Sequence, residues 1–505
     1  MLGVVRDSVQ ARLFGAGDTM DAFVLATRIP TLLRDLFAEG AMSAAFVPTF
    51  TRYLTNEGKE AAWRLGSQVI NGLLVVTTVI VIAGILLADP LTHYFAPEFS
   101  EIPNKHELAV WLTRINMPFL ILLAVAAAFM GMLNALRRFL IPSLSPATYN
   151  VVFIVCALVF TPLCRNVGLP PITSLAIGFI GGGIAQAAIQ WPAVRREGYR
   201  HRWVLNPRDR GLREILLLMG PGTIGVAAAQ INLFVNTVLA TSVTGAVSAL
   251  SYAFRLMYVP IGIVGVSVAT AAIPDLARHA AGAAHAEMRR TLSAGLRMMF
   301  MLSVPATIGL MVLARPIVEL VLESGEFSAN NTDMTAAALM FYAPGILGYS
   351  IVKIASPSFY ALRDSRTPVL VSITTVALNL ALNLSLYPLM GFQGLALGTS
   401  IAASFNALVL LVVLGRRIGG IEGKRLVVSF WKIVVAAAAM GAVTYLAAHQ
   451  IRTFMPDRTV VAEMVRVFVP IAIALVVLAA ASMALRIEEF GQAMRRVLSR
   501  VGIRG

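Results

Sequence analysis

Val69-Ile-Asn-Gly-Leu-Leu-Val-Val-Thr-Thr-Val-Ile-Val-Ile-Ala-Gly-Ile-Leu-Leu-Ala88 is an apolar stretch that contains no charged side chain. A helix of about 20 predominantly apolar residues is long enough to cross the hydrocarbon core of a bilayer. Comparable apolar stretches recur along the chain from Ile70 to Leu485, with only short polar breaks between them. This pattern predicts a single helical membrane domain that crosses the bilayer many times.

The composition agrees with this prediction. Of the 505 residues, 58% are hydrophobic and 13% are charged, compared with about 25% charged residues in an average soluble domain. We expect an all-α protein with about fourteen membrane-spanning helices, of which the first is incomplete. The thirteen full spans are predicted near 20–48, 67–89, 110–135, 146–165, 171–194, 214–241, 247–275, 295–322, 335–360, 367–387, 393–414, 429–449 and 461–485.

The formal net charge is +15, which on its own could indicate nucleic-acid binding. The basic residues, however, collect in alternate loops, and the densest cluster lies between Arg195 and Arg213. The opposite loops, such as 89–106 and 323–333, contain almost no Lys or Arg. Because cytoplasmic loops are enriched in Lys and Arg, we expect both termini to be cytoplasmic and no nucleic acid to bind.

Two short matches indicate an internal repeat. Ala26-Thr-Arg28-Ile is similar to Ala253-Phe-Arg255-Leu, and Ala135-Leu-Arg137 is similar to Ala361-Leu-Arg363 at nearly the same offset. The offset covers six spans, so the two copies would have the same orientation in the membrane. We therefore expect two six-helix lobes in a parallel pseudo-repeat, followed by two further helices. The boundaries are a lobe at 1–194, a linker at 195–213, a lobe at 214–415, a linker at 416–428, two helices at 429–485 and a basic tail at 486–505.

Charged residues inside the predicted spans are the candidate functional residues. Asp21, Arg28, Arg34, Asp35 and Glu39 fall in one span, and Arg255 falls in the repeat-equivalent span. A charge at the centre of a membrane helix costs about 2.5–3.5 kcal/mol on insertion scales. Such residues are therefore expected to face the interior of the bundle or a water-filled cavity, where arginines suit an anionic cargo.

Several of these charges could instead have a purely structural role. Arg34, Asp35 and Glu39 could pair with one another within two helical turns, or extend to the membrane interface. Lys353 lies deep in another span without a nearby acid, where lining a cavity and extending to the interface are equally compatible with the sequence.

Motifs for covalent chemistry and for cofactors are missing from the sequence. Gly181-Gly182-Gly183 is followed by no Lys-Ser/Thr, so it indicates close helix packing and not a phosphate-binding loop. Gly220-Pro221-Gly222 is typical either of a broken transport helix or of a simple kink. Neither cysteine has the neighbours that a metal site requires. We expect no metal, no cofactor and no enzymatic activity.

A long pattern near the beginning of the chain consists of Leu2-Gly-Val-Val-Arg6-Asp7, Phe14-Gly-Ala-Gly17, Asp21-Ala-Phe23 and Leu33-Arg-Asp-Leu-Phe37-Ala-Glu39-Gly-Ala-Met-Ser43-Ala-Ala-Phe46-Val-Pro48. This pattern resembles the MurJ (MviN) family of lipid II flippases. The resemblance continues through Asn134-Ala-Leu-Arg137, Gly220-Pro221, Tyr252-Ala-Phe-Arg255-Leu and Pro357-Ser-Phe359-Tyr-Ala-Leu-Arg-Asp364-Ser-Arg-Thr-Pro368. It therefore covers nearly the whole chain.

The resemblance implies a fourteen-helix fold of the multidrug/oligosaccharidyl-lipid/polysaccharide exporter superfamily. It also implies transport of lipid II, an undecaprenyl-pyrophosphate-linked disaccharide-pentapeptide, across the bacterial inner membrane for peptidoglycan assembly. By motif position, the residues implied to act on the substrate are Arg6, Arg34, Arg255 and Asp21, with Arg28 and Glu39 in the same signature. Lipid II, membrane lipids and other cell-wall synthesis proteins are the implied partners.

The sequence departs from the family pattern in two places. The family has a further stretch of the first helix, ending in Ser-Arg, before the position of Met1, so we expect a native chain that begins upstream. Some relatives hold sodium with acidic residues, whereas the matching spans here offer Asn232, Asn236, Asn379 and Asn383. The driving force therefore stays open.

Three other functions remain as alternatives to lipid II transport. An exporter of another lipid-linked oligosaccharide and a multidrug antiporter would share the same fold. A membrane glycosyltransferase is less favoured, because the predicted external loops are short and lack an acidic site.

Overall fold

The computed structural model describes residues 2–34, 41–206, 208–215, 217, 235–282, 284–455 and 459–491, without the side chains of residues 34 and 41–45. Every regular element within these ranges is helical. The chain divides into two compact units of nearly equal size. Unit 1 comprises Met1–Ser248 with Ser324–Phe327, and unit 2 comprises Ala249–Glu323 with Ser328–Gly505.

The main helices of unit 1 precede residue 197. They are α1 (Leu2–Phe14), α2 (Asp18–Arg34), α3 (Ala41–Asn56), α4 (Lys59–Leu86), α5 (Ala88–Phe95), α6 (Lys105–Asn116), α7 (Phe119–Ala135), α8 (Leu140–Val167) and α9 (Thr173–Arg196), with a 3-10 turn at Pro97–Glu101. Of the apolar run Val69–Ala88, the residues up to Leu86 lie in α4, and Ala88 begins α5.

Helix α10 (Ala246–Pro260) begins in unit 1 and continues in unit 2. A π-helical turn at Ile261–Gly265 joins it to the next helix. The remaining helices are α11 (Val266–Ala281), α12 (His285–Val312), α13 (Ala314–Leu322), α14 (Ala329–Tyr342), α15 (Gly345–Ala361), α16 (Arg366–Met390), α17 (Phe392–Ile418), α18 (Gly423–Phe454) and α19 (Val460–Ala484).

The predicted helical membrane protein is confirmed. Among the described residues, ten helical segments are long and apolar enough to cross a membrane, or eleven if α14 and α15 form one span bent by 48°. The total of fourteen spans stays a prediction, since most of the span predicted at 214–241 lies outside the described residues. The described residues of the predicted span 20–48 belong to two helices, α2 and α3.

Glycines bring α9 into close contact with neighbouring helices of unit 1. A Cβ atom on Gly182 would lie 2.4 Å from the ring of Tyr149, and one on Gly183 would lie 2.9 Å from the ring of Phe119. Small residues at these positions therefore let the helices pack closely, as is common in membrane proteins. This confirms the packing role predicted for the three consecutive glycines.

The two copies of the second repeated motif, Ala135-Leu-Arg137 and Ala361-Leu-Arg363, each lie at the end of a helix and adopt the same backbone turn. Arg137 follows α7 with φ 57°, and Arg363 follows α15 with φ 59°. In both turns the next residue, Arg138 or Asp364, donates its amide to a carbonyl five residues earlier. This is the Schellman turn, which usually has glycine at the left-handed position. The lobe and linker boundaries themselves stay predictions.

Candidate functional site

Arg6 lies on α1 beside two aromatic rings of α8. Its Nε and Nη2 atoms donate to Oδ1 of Asp7 at 3.2 and 3.0 Å. The guanidinium carbon lies 5.7 Å from the ring centres of both Tyr149 and Phe153. The ion pair and the aromatic faces together hold a cation in an apolar helix, because each compensates part of its lost hydration.

Asp21 on α2 is fully buried and caps the beginning of α10. Its Oδ2 accepts from the Gly245 amide at 2.7 Å, and its Oδ1 accepts from the amide and the hydroxyl of Ser248 at 2.9 and 2.7 Å. The first amides of a helix have no partner within the helix. Gly245, which directly precedes α10, has no side chain to cap them, so a distant carboxylate takes that role and also suits the positive end of the helix dipole.

Lys105 neutralises this carboxylate. The lysine is only 2% exposed, and its Nζ lies 2.7 Å from Oδ1 of Asp18 and 3.5 Å from Oδ2 of Asp21. It also lies 4.1 Å from the ring centre of Phe99. A buried charge without a partner would be costly, so the lysine explains how Asp21 stays buried.

The structure describes the other predicted site residues of the first lobe only in part. Arg28 is half-buried on α2, within two helical turns of Asp21. Arg34 is the last residue of α2, and its side chain is not described. Asp35, Glu39 and Gly220-Pro221-Gly222 lie outside the described residues.

Arg255 lies in unit 2, on the exposed side of α10. Its neighbours along the helix, Phe254 and Tyr258, have ring centres 5.5 Å apart. Both rings also contact Tyr349 of α15, at 6.2 and 6.1 Å. Arg255 therefore lies next to a group of aromatic side chains that connects α10 with α15.

Lys353 follows Tyr349 by one helical turn on α15 and is exposed. Residues four apart lie on the same helical face, so Lys353 extends the surface that bears Tyr349. Unit 2 thus has one exposed cation on each of two helices that the aromatic group connects. This arrangement suits an anionic ligand that also has rings or apolar groups.

Three residues that participate in these contacts were missed by the sequence-based prediction. Asp7 is part of the quoted motif but received no role, although it is only 6% exposed and pairs with Arg6. Lys105 could have been noticed as a cation in a predicted external loop otherwise poor in Lys and Arg. Ser248 carries no such signal, because its contact with Asp21 joins residues that are distant in the sequence.

A family model described as lipid II flippase MurJ matches residues 10–468 of the chain. A probable lipid II flippase MurJ of Haemophilus influenzae is 34% identical over 88% of this chain and 89% of its own length. The lipid II flippase MurJ of Burkholderia cenocepacia is also 34% identical, over 82% of this chain and 81% of its own length.

Solved structures agree with these sequence matches. A structure of lipid II flippase MurJ in an inward closed conformation superposes with a TM-score of 0.79 at 25% identity, over 96% of this chain and 97% of that one. An inward-facing multidrug transporter of the MATE family gives a TM-score of 0.70 over 84% of this chain and 96% of that one, but its 14% identity shows the fold alone. The chain therefore belongs to the MurJ family of lipid II flippases.

Proposed function

We propose that this chain carries lipid II from the cytoplasmic to the outer face of the bacterial inner membrane by alternating access. Opening towards the cytoplasm would admit the pyrophosphate-linked headgroup, and opening to the other side would release it. The long isoprenoid tail would stay in the lipid throughout. The chain acts as a transporter and forms no covalent bond with its cargo.

The observation that carries this proposal is the position of Arg255, which is exposed on α10 next to aromatic side chains. Ionisable residues within membrane spans usually face the bundle interior or a water-filled cavity and mark substrate pathways, and Arg255 is exposed on such a helix. A guanidinium group binds phosphate oxygens through two parallel hydrogen bonds. The adjacent rings of Phe254 and Tyr258 offer flat apolar faces of the kind that ligand sites commonly provide beside a few polar groups.

We assign the headgroup contacts to Arg6, Arg28, Arg34 and Arg255, and we add Lys353 as a further residue of the transport path. Glu39 keeps its predicted place in this group. For Asp21 we propose a positioning role, because its oxygens already accept three hydrogen bonds from Gly245 and Ser248.

The orientation and the partners are also part of the proposal. Both termini would be cytoplasmic, as the distribution of Lys and Arg favours. Membrane lipids surround the protein, and other cell-wall synthesis proteins are further candidate partners. The rival functions are export of another lipid-linked oligosaccharide and multidrug antiport, for which the MATE likeness supplies only a shared fold.

The test measures lipid II on the outer face of cells depleted of their own flippase. The cells would express the wild-type chain, Arg255→Ala, Arg255→Lys or the control Arg452→Ala. An external enzyme that cleaves exposed lipid II provides the readout. A charge-assisted hydrogen bond contributes about 1.5–3 kcal/mol, so we expect Arg255→Ala to lower exposure about ten- to hundred-fold.

Lipid II exposure with Arg255→Lys should lie between that of the wild type and that of Arg255→Ala, because lysine keeps the charge and loses the bidentate geometry. The control removes an exposed arginine from the last turn of α18 and should behave as wild type. Normal exposure with Arg255→Ala, at equal protein abundance, would refute the role of Arg255. If the wild-type chain fails to expose lipid II despite normal insertion, the cargo is a different one.

A further inference from the structure

A second cationic site lies entirely within unit 2, apart from the residues discussed so far. It is a cavity of about 80 Å³ at the end of the bundle where α18 begins and α19 has just ended. We call it the α12–α18 pocket, because Arg297 of α12 and Ser429 and Lys432 of α18 line it together with Arg486 after α19.

The inner wall of the α12–α18 pocket is a buried arginine. Arg297 is 8% exposed, and its Nη1 lies 2.6 Å from Oε1 of Glu489 and 3.2 Å from Oε2 of Glu488. Ser429 donates to the other oxygen of Glu489 at 3.2 Å. The Nε atom of Arg297 is buried and forms no hydrogen bond with any residue in the described part of the chain. Arg297 is therefore held in the wall by the two glutamates, and its positive charge lies directly behind the cavity.

The charges that line the pocket do not balance. Arg297, Arg425, Lys432 and Arg486 supply four positive charges, and Glu488 and Glu489 supply two negative ones, which leaves a net charge of +2. Both glutamates are engaged by Arg297, and Arg425 also contacts Glu488 at 3.4 Å. Within the described ranges, Lys432 and Arg486 have no ion-pair partner, so the excess of positive charge lies at the mouth of the pocket.

Arg486 occupies its position at a cost. Its φ is 50°, a left-handed conformation that disfavours every residue with a Cβ atom by about 1–2 kcal/mol. The residue follows α19 at a place where helices usually have glycine. Arg486 occupies the same Schellman turn as Arg137 and Arg363, and here the turn places a cationic side chain beside the cavity.

The surroundings identify the side of the protein on which a ligand would lie. Val428 and Trp431 of α18 are 50% and 60% exposed, next to the pocket residues Ser429 and Lys432. Exposed tryptophans and valines of a membrane helix face lipid, and tryptophans concentrate at the headgroup level. The predicted topology places this end of the bundle at the cytoplasmic leaflet.

We propose that the α12–α18 pocket binds the phosphate group of an anionic phospholipid from the cytoplasmic leaflet. The phosphate would accept hydrogen bonds from Lys432 and Arg486, with the charge of Arg297 behind them, and the acyl chains would run along the lipid-facing side of α18. Basic pockets between membrane helices on this side are suited to such headgroups. The proposal is independent of the cargo, because it uses none of the residues assigned to the headgroup of lipid II.

The experiment titrates the purified full chain in a neutral detergent with phosphatidylglycerol, phosphatidylcholine or inorganic phosphate. The measurement is the concentration of each that gives half-maximal protection against thermal unfolding. Lys432→Gln and Arg486→Gln are made singly and together, and the matched control is Lys424→Gln. Lys424 is an exposed lysine at the same end of α18 that does not line the pocket.

A basic residue near a membrane surface contributes about 1 kcal/mol to the binding of anionic lipid. Each substitution in the pocket should therefore weaken protection by phosphatidylglycerol about five-fold, and the control should leave it unchanged. Phosphatidylcholine should protect the wild type and the variants equally. The proposal is overturned if the double variant binds phosphatidylglycerol as tightly as the control does. If inorganic phosphate protects as well as phosphatidylglycerol, through the same two residues, the ligand is free phosphate and not a lipid.

Discussion

Replacement of Asp21 by alanine should destabilise the protein strongly, although it removes one small side chain. The substitution would leave the Gly245 and Ser248 amides at the start of α10 without their acceptor, at distances now of 2.7 and 2.9 Å. Loss of a helix N-cap costs about 1–2 kcal/mol. Among the described residues, Lys105, which is almost fully buried, would keep Asp18 as its one ion-pair partner, and we expect a total of about 3 kcal/mol.

Two further variants separate the helix cap from the lysine pair. Asp21→Asn keeps one oxygen for Ser248 but turns an amide group towards the Gly245 amide, so its cost should be intermediate. Asp18→Ala removes a half-exposed carboxylate whose described contact is with Lys105. Because Asp21 would still neutralise the lysine, we expect a cost of about 1 kcal/mol for this control.

The assay is equilibrium unfolding in mixed micelles with an increasing fraction of sodium dodecyl sulfate, followed by tryptophan fluorescence. The expected order of destabilisation is Asp21→Ala, then Asp21→Asn, then Asp18→Ala. If Asp18→Ala is as costly as Asp21→Ala, the lysine pair and not the helix cap is the important contact. A cost below about 0.5 kcal/mol for Asp21→Ala would refute the capping role altogether.

Two other predictions concern packing and pH. Gly348→Ala should cost about 1–3 kcal/mol in the same assay, since its Cβ would lie 2.6 Å from the backbone of Ala403, whereas Gly309→Ala, which meets no atom within 4 Å, should cost nothing. Partial burial lowers the pKa of His201, whose ring contacts the Tyr199 hydroxyl. The unfolded chain therefore takes up a proton first on acidification, and stability should fall as the pH drops below about 6.5. In His201→Gln, the unfolding free energy should no longer show this decrease below about pH 6.5. A pH profile identical to that of the wild type would contradict the prediction.

The helical membrane fold could be predicted from the sequence because its signal is local. Apolar runs such as the one in α4 cannot be accommodated in water, and in lipid a continuous helix satisfies all their backbone groups. The family could be predicted for a similar reason, since its signature around Arg6 and Asp21 is a continuous pattern. The repeat was visible in a few residues, and Arg137 and Arg363 adopt the same turn in the structure.

The roles of individual charges could not be predicted in this way. Asp21 and Arg28 looked alike in the sequence, as charges within one apolar span. In the structure, Asp21 has no exposed surface and caps α10, whereas Arg28 is half-buried. The difference depends on Gly245, Ser248 and Lys105, which are far from Asp21 along the chain and close to it only after folding.

Hydropathy and motif spacing are properties of the chain, so they were sufficient to identify a helical membrane transporter of the MurJ family. Which charges neutralise one another, and which stay exposed, became visible in the folded protein. Asp21 with Lys105, and Arg297 with Glu489, are pairs that join distant segments. The cost of burying a charge depends on the partner within a few ångströms of it, and the packing of the helices determines that partner.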